Sequence, residues 1–275
     1  MKREVPRLSP SIAHKLTTES ALSAWANHRL LGNHREPAST SQMEGRMWHA
    51  AILGEDEEIV VVDVADFKTK AARDERDTIL AQGKIPVAAP KIAELQDAAA
   101  RIVEELAKHG IILNGACEER IEWTEYTEGG AEVKCSGILD HYNGAVIHDL
   151  KTGKTATSIH QAAMLIARSH ALLQDAAYRS AVCDGDDIDP ERIEVVFAFV
   201  QTREPFSVTP VTLAGDFREL SHLRWRRAIE EWHKCLSKGT EREHWPDVTE
   251  GITPVSAPGW MISQEIELEA MRDEV

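Results

Sequence analysis

Three residues near the middle of the chain have the types and spacing for phosphate chemistry. Asp140 closes the stretch Gly137-Ile138-Leu139-Asp140, and Asp149 and Lys151 stand in His148-Asp149-Leu150-Lys151-Thr152. Between them lies Asn143-Gly144, the strongest short-range signal for a two-residue hairpin turn. Such a turn sets Tyr142 opposite Ala145, Asp140 opposite Ile147 and Ile138 opposite Asp149. Residues opposite one another share a face, as do residues two apart on one strand. Asp140, Asp149 and Lys151 are therefore expected on one side of the sheet, with Leu139, His148 and Leu150 on the other. Two carboxylates converging from neighbouring strands make a hard-oxygen site suited to Mg²⁺ or Mn²⁺. A lysine two residues beyond the second acid can orient or deprotonate an attacking water, or stabilise charge building on phosphorus. Metal-assisted hydrolysis of a phosphodiester needs this set of groups. Two acids and a lysine on a hairpin also describe ordinary solvated charges, so the trio alone identifies nothing.

Further residues add to it. Gln174 and Tyr178 are four apart, hence on one face of the helix expected after the hairpin. Glu118 and Glu119 begin the preceding strand, and either could turn inward as a third acid. His49 sits on an apolar helical stretch, GRMWHAAIL, where a lone histidine is ordinarily a packing residue.

The ordered set His49, Glu118 or Glu119, GILD ending at Asp140, Asp149-Leu150-Lys151 and Gln174-x-x-x-Tyr178 resembles the motifs of the PD-(D/E)xK nuclease superfamily. Within it the sequence is most similar to the RecB/RecE-like branch, in particular the exodeoxyribonuclease VIII (RecE) type domain of phages and prophages. The likeness runs from about residue 15 to about residue 250, including the block from Gly45 to Val87 and the WPDV segment at Trp245. The resemblance implies a restriction-endonuclease-like core at 46–250, an N-terminal helical and loop segment at 1–45 packed on it, and a C-terminal tail at 251–275. It implies that His49, Asp140, Asp149 and one of Glu118 or Glu119, with Glu119 preferred, hold Mg²⁺ or Mn²⁺. Lys151 would be the catalytic lysine, and Gln174 and Tyr178 would match the family's QxxxY helix as further catalytic residues, a polar pair presented toward the metal or the DNA backbone. Gly153 departs from the second threonine often found in the RecE type. The clustered cysteines of iron–sulfur relatives have no counterpart, so no iron–sulfur cluster is expected. The implied activity is exonucleolytic hydrolysis of linear duplex DNA from its ends, 5′→3′, feeding a single-strand-annealing recombinase. A ring-shaped homo-oligomer in the cytoplasm of a bacterial host, phage or prophage encoded, is also implied. A catalytically inactive DNA-end-binding scaffold and a restriction-type endonuclease are the alternative functions for the same core.

The elements that must position these residues are legible in the pattern of apolar residues. Residues 1–58 read as short helical pieces with a polar loop at 34–42. EIVVVDV (58–64) reads as a strand, and KTKAARDERDTILAQG as a charged helix. Pro90 opens a helix in which Ile92, Leu95, Ala99, Ile102 and Leu106 recur at helical spacing before a Lys108-His109-Gly110 terminus. ERIEWTEYTEGGAEVKCSGIL reads as a hairpin turning at Gly129-Gly130. One long helix at about 158–183, a strand pair at 193–200 and 206–213, the amphipathic helix DFRELSHLRWRRAIEEWHKCL and an irregular tail complete the chain. Strands flanked by long helices make an α/β (α+β) fold with a central mixed β-sheet.

Composition limits the function. The 275 residues carry 31 Lys+Arg against 46 Asp+Glu, a net charge of −15, which argues against coating nucleic acid by bulk charge. Local clusters at Arg29 and Arg35, at Lys68, Lys70 and Arg73, and at Arg224, Arg226 and Arg227 could line a DNA channel or be solvated helix faces. Cys117, Cys135, Cys183 and Cys235 are too scattered for a disulfide framework or zinc knuckle and fit a reducing compartment. No apolar run reaches the length of a membrane helix, and no secretory signal is readable.

Overall fold

The computed structural model describes residues 4–34, 39–54, 58–183, 189–249 and 251–273. Its elements are α1 (Pro10–Thr18), α2 (Ala21–Asn27), α3 (Thr40–Leu53), β1 (Ile59–Val62), α4 (Lys70–Ala81), β2 (Ile85–Ala88), α5 (Ala89–Lys108), β3 (Ala116–Tyr126), β4 (Glu132–Tyr142), β5 (Val146–Gly153), α6 (Ile159–Arg168), α7 (Ala171–Cys183), β6 (Glu194–Gln201), β7 (Val208–Val211), α8 (Gly215–Leu236) and α9 (Gly259–Asp273). Five strands form a mixed sheet in the order β3-β4-β5-β6-β7, with β5 and β6 parallel and the other neighbours antiparallel. β1 and β2 make a separate parallel pair. Among the described residues, no helix is long and apolar enough to cross a membrane.

Helices cover both faces. On one, α1, α2, α7 and α8 bury Leu16, Ala24, Leu173, Trp225 and Trp232 against Ile147, Val195, Phe197 and Phe199. On the other, Ile52 and Leu53 of α3 and Ile102 and Leu106 of α5 pack on Leu150, Ala198 and Val200. β6 is apolar almost throughout because neither of its faces meets water. The expected fold class, a central mixed sheet flanked by helices, is the one found.

Local expectations are corrected at five places. The stretch expected as one helix at 158–183 breaks at Ser169, whose extended backbone (φ −122°, ψ 175°) ends α6 and whose Oγ accepts the Ala171 N–H as α7 begins. β2, unmarked by any long apolar run, forms by pairing with β1. The tail is not wholly irregular, since α9 follows Pro258.

The turn at Asn143-Gly144 is not a two-residue one: Asn143, Gly144 and Ala145 all lie between β4 and β5. Asn143 Oδ1 accepts the N–H groups of Ala145 and Val146 at 3.1 and 2.9 Å, so Tyr142 pairs with Ile147 and His141 with His148. The shift is two residues, and only a one-residue slip would turn every side chain over.

Leu139 and Leu150 do not share a face as expected: Leu139 packs with Trp123, Cys135 and Tyr178, and Leu150 with the α3–α5 core. The cause lies at Asp140. The β3–β4 ladder pairs Cys117 with His141 and Glu119 with Leu139 but skips the rung between, where Glu118 adopts φ +47°. Left-handed backbone is costly for a residue with a Cβ, and such outliers concentrate at functional sites.

Candidate metal centre and its supporting network

His49 is carried by α3, which starts in a capping box between Ser39 and Gln42 and ends at a left-handed Gly54. Burial of Ile52 and Leu53 under α5 fixes the rotation of this helix. His49, three and four positions earlier, shares that face and meets the sheet. There its Nδ1 lies 3.6 Å from Asp140 Oδ2 and 3.8 Å from Glu118 Oε1. One ligand atom from each of His49, Glu118 and Asp140 lies within 4.8 Å of the others. Glu118 and Asp140 reach this point because both leave the regular ladder at the skipped rung. Glu119, preferred from sequence, stays in register opposite Leu139 and is exposed. The geometry thus favours Glu118, and nothing in the sequence signals its left-handed backbone.

Asp140 also connects to β5, where its Oδ2 accepts the Leu150 N–H at 2.7 Å. On either side of Leu150 stand Asp149, which is buried, and Lys151, the two forming an ion pair. Gln174 of α7 holds both. Its Nε2 donates to Asp149 Oδ1 at 2.9 Å and to the Tyr178 hydroxyl at 3.1 Å, while its Oε1 accepts from Lys151 Nζ at 3.0 Å. The Tyr178 ring approaches β4 at Gly137, where an added Cβ would stand 2.8 Å from Tyr178 Cε1. The glycine of GILD is therefore a close-approach position, which its sequence context alone did not reveal.

Electrostatics separate the groups. Burial, followed by the charge of Asp149, pushes Asp140 up to about 7, against the opposing pull of His49, Lys151 and the Leu150 N–H. Burial alone would lower His49, but contact with Glu118 and the charges of Asp140 and Asp149 raise it. Burial and the charge of Asp149 raise Tyr178, which keeps its proton. Below the site His141 and His148 stack, with Nδ1 atoms 2.8 Å apart. The Gly115 N–H donates to His141 Nε2, so His141 must carry its proton on Nδ1 and donate to His148. Burial lowers both, His148 to about 4.

The donor set fits a divalent cation. Two carboxylates and an imidazole converge, with a further acid adjacent, and burial together with the charge of Asp149 disfavours ionised Asp140 in a way a cation would offset. Of the basic clusters, Lys68 pairs with Asp66, Arg29 with Glu4, and Arg226 with Glu125 and Glu230, while Arg35 lies outside the described residues.

No protein-family model matches the sequence, and no curated protein matches it. Solved structures do. A protein of Eubacterium rectale whose crystal structure is named "Putative exonuclease" superposes with a TM-score of 0.56 at 12% identity, covering 91% of each chain. The structure of SSO0001 aligns over 67% of this chain and 85% of its own at 12% identity, with a TM-score of 0.28, too low to carry an argument. At such identities the likeness is one of fold, and this chain shares the fold of the Eubacterium rectale protein.

Proposed function

We propose that the chain is a divalent-metal-dependent exodeoxyribonuclease of the RecE-like type, acting on linear DNA. The observation that carries this reading is the meeting of His49, Glu118 and Asp140 beside the Asp149–Lys151–Gln174–Tyr178 network. The fold shared with the Eubacterium rectale protein supports it. In this reading His49, Glu118, Asp140 and Asp149 hold Mg²⁺ or Mn²⁺. When bound, the cation supplies Lewis-acid polarisation of a phosphoryl oxygen and neutralises charge in the transition state. Lys151 Nζ, fixed by Asp149 and Gln174, orients the attacking water and stabilises negative charge growing on the phosphoryl group. Gln174 positions Asp149 and Lys151 through its hydrogen bonds, and Tyr178 holds Gln174. The finer proposals are 5′→3′ polarity on duplex ends, a ring-shaped homo-oligomer, supply of single strands to an annealing recombinase and a bacterial cytoplasmic setting. The same reading takes 46–250 as the nuclease domain.

Purified protein is incubated with linear duplex, linear single-stranded and closed circular DNA in Mg²⁺, Mn²⁺ or EDTA. Release of nucleotides from linear DNA alone, abolished by EDTA, is the expected result. Cutting of closed circles would indicate the restriction-type alternative, and binding of ends without release the inactive scaffold.

A further inference from the structure

The cleft leading away from Gln174 and Tyr178 is walled by the N-terminal segment. β4 pairs with β5 only at His141 and Tyr142. Nearer its start, β4 is covered by Leu8, whose N–H donates to Lys134 O at 2.9 Å and whose carbonyl accepts from the Ser136 N–H at 2.9 Å. The sheet therefore forks at Asp140, and the start of α1 fills the fork. A cavity of about 310 Å³ lies there, with Gln174 and Tyr178 on its wall beside Ser9, Ser11, Arg120 and Ser136. The same two N-terminal serines, Arg120 and Ser136 also line a second cavity of about 260 Å³ that continues to Arg7 and Arg29. A groove thus runs from Gln174 and Tyr178 to the surface, its inner part mixing Pro10 and Ile138 with the serines and its outer part lined by hydroxyl and guanidinium groups together with Glu4.

We propose that this groove carries the phosphate backbone of a single nucleic-acid strand, the phosphates next to the one at Lys151 lying along Arg120, Arg7 and Arg29. The placement of the cut phosphate rests on the nuclease reading above; the groove's affinity for a strand does not. Guanidinium groups match phosphate with paired hydrogen bonds, and serine hydroxyls donate to phosphate oxygens without reading sequence. Cavities of about 310 and 260 Å³ leave room for single nucleotides in file, not for a duplex.

The walls are anchored. The buried His28 accepts the Leu30 N–H at Nδ1, so its Nε2–H donates to Arg7 O at 3.0 Å. Arg7 and Arg120 face Glu122, and Arg29 faces Glu4. Such partly exposed pairs hold little energy in water, so exchanging a carboxylate for a phosphate costs little. None of Lys68, Lys70, Arg73, Arg224, Arg226 and Arg227 lines the groove, which selects among the basic clusters of the sequence.

The test compares two full-length variants that lose the same charge, R29A/R120A in the groove and K70A/R73A on α4. All four side chains are solvent-accessible, where substitutions leave folding nearly unchanged. Binding of a fluorescein-labelled single-stranded oligonucleotide is followed by anisotropy across a salt series, with Ca²⁺ replacing Mg²⁺. R29A/R120A should weaken binding about 100-fold, about tenfold per charge-assisted contact. Its log–log salt slope should fall by about 1.4, the release expected for two single-strand phosphate contacts. K70A/R73A should change affinity by less than about twofold. Unweakened binding in R29A/R120A, or equal weakening in both variants, overturns the groove. Hydrolysis of linear DNA by the wild type is measured separately: its absence removes the nuclease reading and leaves the oligonucleotide result to decide the groove alone.

Discussion

Around Lys151 the polar groups hold one another, whereas around Asp140 they are gathered without being balanced. Gln174 ties Asp149, Lys151 and Tyr178 together at 2.9 to 3.1 Å, across β5 and α7. His49 approaches Glu118 and Asp140 only at 3.8 and 3.6 Å, beyond hydrogen-bond length, and Asp140 is driven up to about 7 by burial and by Asp149. The first cluster is complete with protein atoms. The second gathers ligand atoms of two acids and an imidazole around one backbone N–H, with burial and Asp149 opposing ionisation of Asp140. In the proposed reading the fold fixes the ammonium in advance and a cation would organise the acids, coupling metal binding to assembly of the site.

The largest effect should come from breaking the complete cluster. Asp149→Ala or Lys151→Ala is expected to lower hydrolysis of linear DNA by about 10³-fold or more, the scale of losing a transition-state charge contact. The circular dichroism spectrum should stay unchanged. Full activity in either variant would refute the roles proposed for both residues.

How far the sequence foresaw this contrast depends on what each cluster is made of. Asp149 and Lys151 are two apart on a strand, and Gln174 and Tyr178 four apart on a helix. Their shared faces follow from period alone. The acid cluster depends on a skipped rung and a left-handed Glu118, which period cannot express, and the sequence preference for Glu119 misses both. Asp140 lies on the expected strand, but the turn differs from the expected one because Asn143 uses its side chain as an acceptor instead of occupying a two-residue turn. The break between α6 and α7 has no Gly or Pro to announce it, and Ser169 supplies only the weaker signal of a restart cap. The Leu8 segment along β4 is a contact between residues 127 positions apart, and no local pattern encodes it.

The unbalanced cluster has its own signature in pH and metal. Asp140 has a folded pKa near 7, above the ordinary 3.8, so its contribution to stability is fully present below pH 3.8 and is lost as pH rises through about 7. In EDTA at pH 8, Asp140→Asn should therefore be more stable than wild type by on the order of 3 kcal/mol, a gap that closes toward pH 4. His148, with its folded pKa near 4, acts in the opposite sense: its contribution holds above pH 6.5 and is lost as pH falls toward 4. It does so equally in both proteins and cancels in the comparison. Adding Mg²⁺ or Mn²⁺ should stabilise the wild type much more than the variant. Urea unfolding in the two buffers measures both differences, and equal stability at pH 8 in EDTA would mean that the acids are not in conflict.

Gln174→Leu should fall between a ligand and a bystander. It removes the contacts that orient Asp149 and Lys151 while leaving His49, Glu118 and Asp140 in place. The expected loss is about 10- to 100-fold in kcat, typical of outer-shell partners. Because Gln174 holds Asp149, a ligand in the proposed reading, the midpoint of Mn²⁺-induced thermal stabilisation should also move, but by less than the loss in kcat. A shift in that midpoint as large as the loss in kcat would show the two clusters to be one.

The smallest change asks whether the lysine cluster is held by packing as well as by hydrogen bonds. In Gly137→Ala the new methyl group would stand 2.8 Å from Tyr178 Cε1, and the ring must move, since the β4 backbone is fixed by β3 on one edge and Leu8 on the other. Overpacking of this kind costs about 1–3 kcal/mol, a melting temperature lower by several degrees. A displaced Tyr178 pulls on Gln174, to which its hydroxyl is hydrogen-bonded, so kcat should fall modestly, with a smaller effect on His49, Glu118 and Asp140. Calorimetry with and without Mn²⁺ separates the outcomes. A lower melting temperature with an unchanged metal-induced increment places the strain in the lysine cluster alone. A smaller increment would mean that Tyr178 supports the acids as well, through Asp149, and that the boundary between the two halves lies elsewhere.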